Sequence, residues 1–433
     1  MQRVHVQELA TLIGERVRIA GWLHHQRQLS KLTFLLLRDR TGVAQVIVDD
    51  PELIQEVGDL YAETVLEIAG RVVEAAQAPG GVELHQPELR VLSPAVAPAP
   101  IDLRLVELKE QLPTQLDHAP VALRHPRKRA TFELAAASVA GFRSALDGLG
   151  FTEVQTPKIV GSATEGGANV FGIDYFGRPA YLAQSPQFYK QAMVGVFERV
   201  YETGPVFRAE PHDTPRHLAE YVSLDAELGF IEDHFTVMAV TRQAVAGMVA
   251  GVRERAADAV ELLRLTLPEV PPEIPHVHFR DAQEMIERAT GEVVVGEPDL
   301  APAHERCLGE WARREHESDF VFVVGYPMVK RPFYTHPDRK QPQFSNSFDL
   351  LFRGLELITG GQRLHRYDDY VAALAAGGEG PEAYGTYLEA FKHGMPPHGG
   401  FAIGLERWVA QIVAATNIRA TTLFPRDRTR LAP

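Results

Sequence analysis

The first part of the chain is divided into five short segments that alternate apolar and polar residues, as half-buried β-strands do. Arg40-Thr41-Gly42 joins the second segment to the third as a hairpin turn, and residues 51–61 suit a short helix. The five segments cover residues 16–24, 32–39, 43–49, 65–74 and 82–92. This arrangement predicts an OB-type β-barrel, a fold that binds oligonucleotides across one face. On strand count alone, a small β-domain with only a packing role is the favoured alternative.

The remaining residues predict an α+β multidomain protein. Prolines at 94, 98 and 100 mark the end of the barrel. The expected domains are a barrel over 1–100, a hinge over 101–130 and a larger domain over 131–433 with a small insertion at about 232–320. The hinge ends in the basic cluster 124–129, which is ordinarily a solvated face. The sharper interpretation is a hinge that touches a nucleic-acid backbone.

Helices and strands of the larger domain follow from local signals. A helix is expected over residues 127–149, a strand over 151–157 and a long helical stretch over 230–263. That stretch carries an apolar stripe at helical spacing, which is most simply core. The stripe consists of Phe235, Met238, Val245, Met248 and Val252.

Composition excludes several classes of protein. Cys307 is the single cysteine, so no internal disulfide forms and a reducing compartment fits. Neither a signal core nor an 18-residue apolar run is present, so we expect a soluble, cytoplasmic protein with no membrane contact. The net charge of −13 disfavours a nucleic-acid partner. Residues 1–130 are nearly neutral, however, so an anionic partner is less disfavoured there.

Three groups of residues carry chemical signals. The first is a hairpin with Arg208, Glu210 and Arg216-His217, whose arginines suit a phosphate because their charge is permanent. The second is a Gly-flanked strand that turns into a helix at Gly404 and presents Arg407, which could lie over an adenine ring. Each is weak alone, since surface Arg/Glu pairs and Gly-rich turns are common.

The third group is a pair of carboxylates, Asp349 and Glu356. Mg²⁺ prefers a few carboxylates together with phosphate oxygens, whereas a satisfied acid on a twisted strand is the alternative. Histidines 365, 393 and 398 match no common zinc spacing, so a histidine metal site is not expected.

The order of these groups is far more specific than any one of them. Pro157 after a long helix, then Arg208 with Arg216-His217, then Gly404 with Arg407 resemble the three signatures of class II aminoacyl-tRNA synthetases. With the barrel, the chain looks like the aspartate/asparagine/lysine subgroup over essentially its whole length. It is most similar to the compact, archaeal-type aspartyl enzymes, because only about 180 residues separate His217 from Gly399.

The resemblance implies an antiparallel sheet of six or seven strands flanked by helices, in addition to the barrel. Pro157 corresponds to a signature at the interface of a C₂ homodimer. The positions corresponding to ATP-binding residues are Arg208, Glu210, Arg216, His217, Leu218, Glu356, Gly404 and Arg407. Arg208, Arg407 and Glu356 are the expected catalytic residues, and Glu356, Thr359 and Asp349 are the expected neighbours of Mg²⁺.

Amino-acid choice divides the subgroup. The positions implied to bind aspartate are Glu165, Gln187, Lys190, Arg208, Thr359 and Arg363. Lys190 and Arg363 together favour a carboxylate over its neutral amide, because the amide leaves one cation poorly paired. Asparagine enzymes generally lack this lysine, and lysine enzymes would need acids there. The resemblance therefore implies loading of L-aspartate onto tRNA at the expense of ATP.

The barrel is expected to read the anticodon of the tRNA. Phe34 corresponds to a base-stacking aromatic, Gln45 to a neighbouring polar reader, and Arg27 and Glu83 are further candidates. Phe34 as barrel core is the alternative, since Leu35, Leu36 and Leu37 adjoin it.

A second pair of barrel positions bears on which tRNA is accepted. Strict archaeal relatives carry a bulky residue, typically tryptophan, where this chain has His24, and lysine where it has Pro79. The chain thus resembles non-discriminating variants that charge tRNA(Asn) as well as tRNA(Asp) and supply an amidotransferase. Neutral drift at two loop positions is the alternative.

Other functions stay open at this point. They are a strictly discriminating aspartyl enzyme, an asparaginyl-tRNA synthetase, a non-catalytic RNA-binding paralogue and a tRNA-independent amide-forming ligase. Lys190 argues against the second, the retention of Arg208, Glu356 and Arg407 against the third, and the barrel against the fourth.

Overall fold

The computed structural model describes residues 2–161 and 169–433. The chain divides into two compact units, Met1–His125 and Pro126–Pro433. The boundary between them falls at the proline that begins a long helix.

The first unit is a closed barrel in the strand order β1-β2-β3-β5-β4. Its strands are β1 (Arg16–Gln28), β2 (Thr33–Arg38), β3 (Val43–Val48), β4 (Val65–Glu74) and β5 (Val82–Ser93), with α1 (Pro51–Gly58) between β3 and β4. Asp50 caps α1 by accepting hydrogen bonds from two backbone amides of its first turn. Alternation places Leu35 and Leu37 of β2 in the core. The predicted barrel is confirmed.

Two short helices, α2 (Leu112–Asp117) and α3 (Ala119–Ala122), follow the barrel within the first unit. His125, which closes this unit, is buried, and its ring is hydrogen-bonded to the carbonyl oxygen of Leu105 at 2.8 Å.

The second unit is built on an eight-stranded sheet in the order β12-β13-β14-β15-β16-β11-β10-β6. The six strands from β13 to β10 are antiparallel neighbours, and the two edge strands pair in parallel. The sheet strands are β6 (Thr152–Glu153), β10 (Arg199–Phe207), β11 (Glu220–Gly229), β12 (His276–His278), β13 (Phe320–Val324), β14 (Ser347–Phe352), β15 (Leu355–Gln362) and β16 (His398–Gly404). A second, three-stranded sheet contains β7 (Ile159–Val160), β8 (Gly172–Tyr175) and β9 (Arg178–Leu182).

The sheet has more strands than the six or seven expected. The two edge strands β6 and β12 are only two and three residues long, and alternation along the sequence does not reveal β12. The expected strand over residues 151–157 is correspondingly reduced to Thr152–Glu153.

Helices flank this sheet. They are α4 (Pro126–Gly148), α5 (Gln187–Phe197), α6 (His234–Arg255), α7 (Ala257–Leu263), α8 (Phe279–Thr290), α9 (Pro302–His316), α10 (Tyr367–Ala376), α11 (Gly385–Lys392) and α12 (Leu405–Ile412). The helical stretch expected over 230–263 is therefore two helices, broken at Ala256, whose φ of −133° is not helical. Phe235 was expected in the core but is 44% exposed, because it lies in the first turn of α6.

Helix α6 packs on α4 as a core helix. The helices can approach closely because residue 141 is glycine: a β-carbon there would lie 2.1 Å from the carbonyl oxygen of Gly247. Among the described helices, only α6 is long and apolar enough to span a membrane, but 56% of its most apolar window is buried inside the protein.

Candidate active site

A cavity of about 450 Å³ opens over strands β11, β15 and β16 of the second unit. The side chains that line it come from α5, from the hairpin β10–β11, from β15 and from the start of α12. The predicted positions among them are Gln187, Lys190, Arg208, Glu210, Arg216, His217, Leu218, Glu356, Thr359, Arg363, Gly404 and Arg407. The fold therefore brings together three groups that are far apart in the sequence.

One end of the cavity, which we call the amino-acid end, is defined by Lys190, Asp225, Glu227 and Arg363. Lys190 Nζ lies 2.9 Å from Asp225 Oδ1 and 3.4 Å from Glu227 Oε2. Arg363 Nε lies 3.1 Å from Glu227 Oε1. All four side chains are almost completely buried, so their charges are held in pairs away from water.

Electrostatics at this end keep Glu227 ionised. Burial alone would raise its pKa, but Arg363 and Lys190 hold the pKa of this carboxyl below its ordinary value. Gly400 on the neighbouring strand makes room for it, because a β-carbon there would lie 2.0 Å from Glu227 Oε2. Sequence reasoning did not identify this use of Gly400.

The opposite end, which we call the nucleotide end, is defined by Arg208, Glu210, His217, Glu356 and Arg407. Its pairs are long: Arg208 to Glu210 is 3.8 Å, and His217 Nε2 to Glu210 Oε2 is 3.6 Å. Arg407 donates to the carbonyl oxygen of Glu356 at 2.9 Å and lies 3.7 Å from its carboxylate. These side chains are 29% to 40% exposed, so the nucleotide end faces solvent with cations suited to phosphate.

The loop between β10 and β11 is held by a second segment of the chain. Arg419 donates to Asp213 at 2.6 Å and to the carbonyl oxygen of Thr214 at 3.2 Å, and it also pairs with Asp427. Thr214 Oγ1 in turn lies 2.6 Å from His217 Nδ1. Arg419 thus fixes the loop that presents His217 to the cavity.

The space in front of Gly404 suits a flat ligand. A β-carbon at this position would meet nothing closer than Arg407 Cβ at 3.7 Å, so the backbone borders open cavity.

Comparison with known proteins decides the family. Residues 111–428 match the family described as tRNA synthetases class II (D, K and N), and residues 17–92 match the OB-fold nucleic acid binding domain. The chain belongs to the class II tRNA synthetases. The resemblance on which the site was predicted is thereby confirmed.

Relatives of this synthetase differ in the amino acid and tRNA for which they are named. It is 47% identical to the aspartate–tRNA(Asp/Asn) ligase of Thermus thermophilus and 39% identical to the aspartate–tRNA(Asp) ligase of Thermococcus kodakarensis, with 100% of both chains covered in each case. The crystal structure of asparaginyl-tRNA synthetase from Pyrococcus horikoshii complexed with asparaginyl-adenylate has a TM-score of 0.93 and 32% identity, again over 100% of both chains. Substrate choice must therefore be argued from individual residues.

The carboxylates expected near Mg²⁺ lie in different settings within the synthetase. Glu356 lines the cavity and accepts a hydrogen bond from Thr359 Oγ1 at 3.1 Å. Asp349 is buried behind it, with both oxygens 3.2 Å from Arg331 Nη2. Burial raises the pKa of Asp349 to about 6 against the opposing effect of Arg331. Asp349 is therefore a partner of Arg331 and does not border the cavity.

The three histidines considered from the sequence were not expected to bind a metal. Within residues 2–161 and 169–433, no group of three or more histidine, cysteine, aspartate or glutamate side chains is arranged to hold a metal ion. His393 is exposed beside Glu389, whereas His398 is completely buried.

Two further positions were predicted in the second unit. Pro157 is exposed between β6 and β7. Glu165 falls outside the described residues.

The predicted anticodon residues of the synthetase share the outer face of the barrel. Strand pairing sets Arg27 opposite Phe34, and Gln45 opposite Glu83, whose side chains are hydrogen-bonded at 2.7 Å. Phe34 is half-buried and does not belong to the barrel core, which Leu35 and Leu37 join instead. An outward aromatic beside polar side chains is the arrangement that stacks and reads a base.

The two positions predicted to bear on tRNA choice lie in irregular parts of the barrel. His24 lies at a bulge of β1, and Arg38 Nη1 is 3.0 Å from its Nδ1. Arg38 also pairs with Glu63 at 2.8 Å, so His24 adjoins a buried ion pair. Pro79 begins a short 3₁₀ turn and lines a groove of about 260 Å³ together with Gly80 and Gly42.

Several residues of the cavity were missed by sequence reasoning. Ser223, Asp225 and Glu227 alternate along β11 with core residues, and this alternation could have assigned them to the polar face. Further lining residues that received no role include Tyr221, Arg331, Tyr334 and Glu406, which carry no local signal.

Proposed function

We propose that this synthetase activates L-aspartate with ATP and transfers it to the 3′ end of tRNA(Asp) and of tRNA(Asn). The observation that carries the choice of aspartate is the pair of buried cations, Lys190 and Arg363, that face the cavity from α5 and from the segment directly after β15.

Arg363 can bind a carboxylate in addition to its protein partners. A guanidinium has five N–H donors, and Glu227 and the carbonyl oxygen of Gly400 occupy two of them. The remaining donors can form a charge-assisted fork with a ligand carboxylate. A neutral amide can accept from one of the two cations through its oxygen. Its N–H groups then face the other cation, and donor against donor is unfavourable.

The nucleotide end fits the chemistry of activation. The α-carboxylate of aspartate attacks the α-phosphorus of ATP, an anhydride forms, and the bond to pyrophosphate breaks. Charge that builds on the phosphorus oxygens is stabilised by fixed cations, the role we assign to Arg208 and Arg407. Arg216 and His217 are assigned to the β- and γ-phosphates, and Glu210 to the amino group of adenine.

The residues present also fit a Mg²⁺ ion. One exposed carboxylate, Glu356, with the hydroxyl of Thr359 beside it matches the preference of Mg²⁺ for few protein ligands plus phosphate. When bound, the ion would neutralise phosphate charge. Asp349 contributes from behind by holding Arg331 in place.

Recognition of the tRNA is assigned to the barrel face. We assign anticodon reading to Phe34 and Gln45, and acceptance of both tRNAs to His24 and Pro79. A homodimer through the region of Pro157, a cytoplasmic location and hand-over of the misacylated tRNA(Asn) to an amidotransferase belong to the same proposal.

The proposal is tested by aminoacylation of tRNA(Asp) and tRNA(Asn) transcripts with radiolabelled aspartate, side by side. Charging of both at similar rates is expected. Charging of tRNA(Asp) alone would contradict the assignment of His24 and Pro79 while leaving aspartate in place.

An asparaginyl enzyme is the second candidate, because a solved relative of similar shape carries asparaginyl-adenylate. ATP–pyrophosphate exchange with aspartate and with asparagine decides between the two. Exchange that depends on asparagine and not on aspartate would overturn the proposed function.

A further inference from the structure

Behind the amino-acid end lies a second polar cluster that does not border the cavity. We call it the backing network, and it consists of Gln191, Tyr370, Tyr387 and His398. Gln191, Tyr370 and His398 are completely buried and Tyr387 is 7% exposed. A buried polar network is stabilising only when every donor faces an acceptor. This requirement restricts the side chains of the network to one set of orientations.

The direction of each hydrogen bond is fixed by two carbonyl groups. His398 Nδ1 lies 2.9 Å from the carbonyl oxygen of Pro396 and must donate to it. Tyr370 donates to the carbonyl oxygen of Leu364 at 2.8 Å. His398 Nε2 and Tyr370 Oη are therefore acceptors, and both accept from Gln191 Nε2 at 3.1 Å.

Tyr387 completes the set with two contacts. Its hydroxyl lies 2.9 Å from Gln191 Oε1 and 3.0 Å from Tyr370 Oη. We assign its single proton to Gln191 Oε1, because Tyr370 Oη already accepts from Gln191 Nε2. This bond fixes which way the amide of Gln191 points. Loss of the Tyr387 hydroxyl would leave a buried carbonyl without its donor and would permit the amide to rotate.

Each member of the backing network holds a neighbour of a cavity cation. Gln191 follows Lys190 on α5, and Leu364 follows Arg363. The carbonyl oxygen of His398 accepts from the backbone amide of Arg363 at 2.9 Å. The network thus connects the helix that carries Lys190 to the segment that carries Arg363.

The network also fixes the charge behind Glu227. A protonated His398 would point an N–H group at the N–H donors of Gln191, so the ring is held neutral. Burial lowers the pKa of His398 to about 4, in agreement with this arrangement. Within the described part of the chain, the cations paired with Glu227 are Arg363, at 3.1 Å from Oε1, and Lys190, at 3.4 Å from Oε2.

We propose that the backing network is a positioning device that holds Lys190 and Arg363 at a fixed separation and thereby sets the preference for aspartate over asparagine. This inference rests on the proposed function. A carboxylate is preferred only while both cations meet it at once, because a single cation can be satisfied by an amide oxygen. Fixed geometry in the supporting residues is what maintains such a requirement.

The test compares Tyr387→Phe with wild type in ATP–pyrophosphate exchange, using aspartate and asparagine as alternative substrates. Tyr384→Phe is the matched control, because Tyr384 lies on the same side of the cavity but hydrogen-bonds Glu379 near the surface. For Tyr387→Phe we expect the KM for aspartate to rise about tenfold, the effect of losing one buried hydrogen bond. The KM for ATP should stay unchanged, and the ratio of kcat/KM for aspartate over asparagine should fall.

A purely structural role would lower kcat with both amino acids in parallel. An unchanged ratio in a folded Tyr387→Phe variant therefore overturns the inference. Should that variant fail to fold, Tyr370→Phe is measured in its place, with the same expected and contradicting results. Wild-type enzyme without aspartate-dependent exchange would overturn the proposed function itself, so the two failures are distinguishable.

Discussion

The two ends of the cavity hold their charges in different ways. At the amino-acid end, Lys190 and Arg363 are buried and already paired with Asp225 and Glu227 at 2.9 to 3.4 Å. At the nucleotide end, the arginines and acids are partly exposed, and their ion pairs are 3.6 to 3.8 Å long. The charges of the amino-acid end are therefore buried and closely paired within the protein, whereas those of the nucleotide end are solvated and more distantly paired.

This difference matches what each end is proposed to distinguish. Aspartate and asparagine differ by one small group, so selection between them needs fixed geometry and desolvated charge. ATP carries several negative charges, which partly exposed arginines can bind through charge-assisted hydrogen bonds. Each prediction below either breaks this contrast or sharpens it.

The largest effect is expected at the buried end. Lys190→Ala leaves Asp225 and Glu227 short of a cation, which should lower the unfolding free energy by about 3–5 kcal/mol. Aspartate-dependent exchange should fall about a thousandfold, since truncating one partner of a buried charge pair costs about 2–5 kcal/mol. ATP affinity should change little.

Lys158→Ala is the matched control for this variant. Lys158 pairs with the buried Glu202 at 2.6 Å outside the cavity, so its removal should cost stability without changing the KM for aspartate. Unchanged exchange in the Lys190 variant would refute the assignment of aspartate to this end.

A smaller effect on activity, with none on folding, is expected at the open end. Arg208→Ala should reduce kcat for exchange about a hundredfold, because a fixed cation is lost from the phosphorus oxygens. Its thermal midpoint should match that of Arg253→Ala, a similarly exposed arginine that is paired with Glu269 outside the cavity. If Arg208→Ala lost as much stability as Lys190→Ala, the proposed contrast between the two ends would be wrong.

A buried acid at the nucleotide end sharpens the comparison through pH. Glu406 accepts from the backbone amide of Val222, and among the described residues no ion pair is found for it, so burial raises its pKa to about 7. Because the folded pKa exceeds the unfolded value of 4.5, the carboxyl favours folding below about pH 4.5 and loses that stability as pH rises through 7.

Glu406→Gln keeps an acceptor for Val222 but cannot ionise. Urea unfolding at pH 5 and pH 8 should therefore show wild type losing about 3 kcal/mol relative to the variant at the higher pH. Equal pH dependence of the two proteins would show that Glu406 is ionised in the fold, as Glu227 is.

The smallest effect concerns a position outside both ends. Phe34→Ala should raise the KM for tRNA about tenfold, since stacking of one base on an aromatic side chain contributes about 1–3 kcal/mol. Exchange without tRNA should be unaltered. Leu36→Ala, on the same face of β2, serves as control, and an equal effect of both changes would indicate a general disturbance of the strand.

The sequence predicted elements with long, regular patterns and missed those that depend on distant contacts. The five barrel strands were found because alternation and turn residues are local signals. Strand β6 was expected over residues 151–157 but covers only Thr152–Glu153, whereas β12 was missed because three residues show no period. The prediction of one long helical stretch was wrong at Ala256, where the sequence has no glycine or proline to indicate the break.

The site followed the same rule. Lys190, Arg208 and Arg407 were identified by resemblance, and the fold brings them to one cavity. The backing network could not be predicted, since its four members come from α5, α10, α11 and β16 and meet only through tertiary structure. Asp349 could be placed on its strand, but its pairing with Arg331 depends on a loop with no regular pattern.

Gly400, which lies beside Glu227, and Gly404, which lines the cavity, differ in the substitutions that the fold can accept. Any residue that replaces Gly400 adds a β-carbon against the Glu227 carboxylate. The fold therefore disfavours every codon change at this position that alters the amino acid. At Gly404 the nearest protein atom to the same carbon would be Arg407 Cβ at 3.7 Å, so only the nucleotide proposed to bind there would exclude it. Substitutions at Gly404 are therefore open to a lineage that keeps the fold while abandoning catalysis, whereas Gly400 constrains both kinds of descendant.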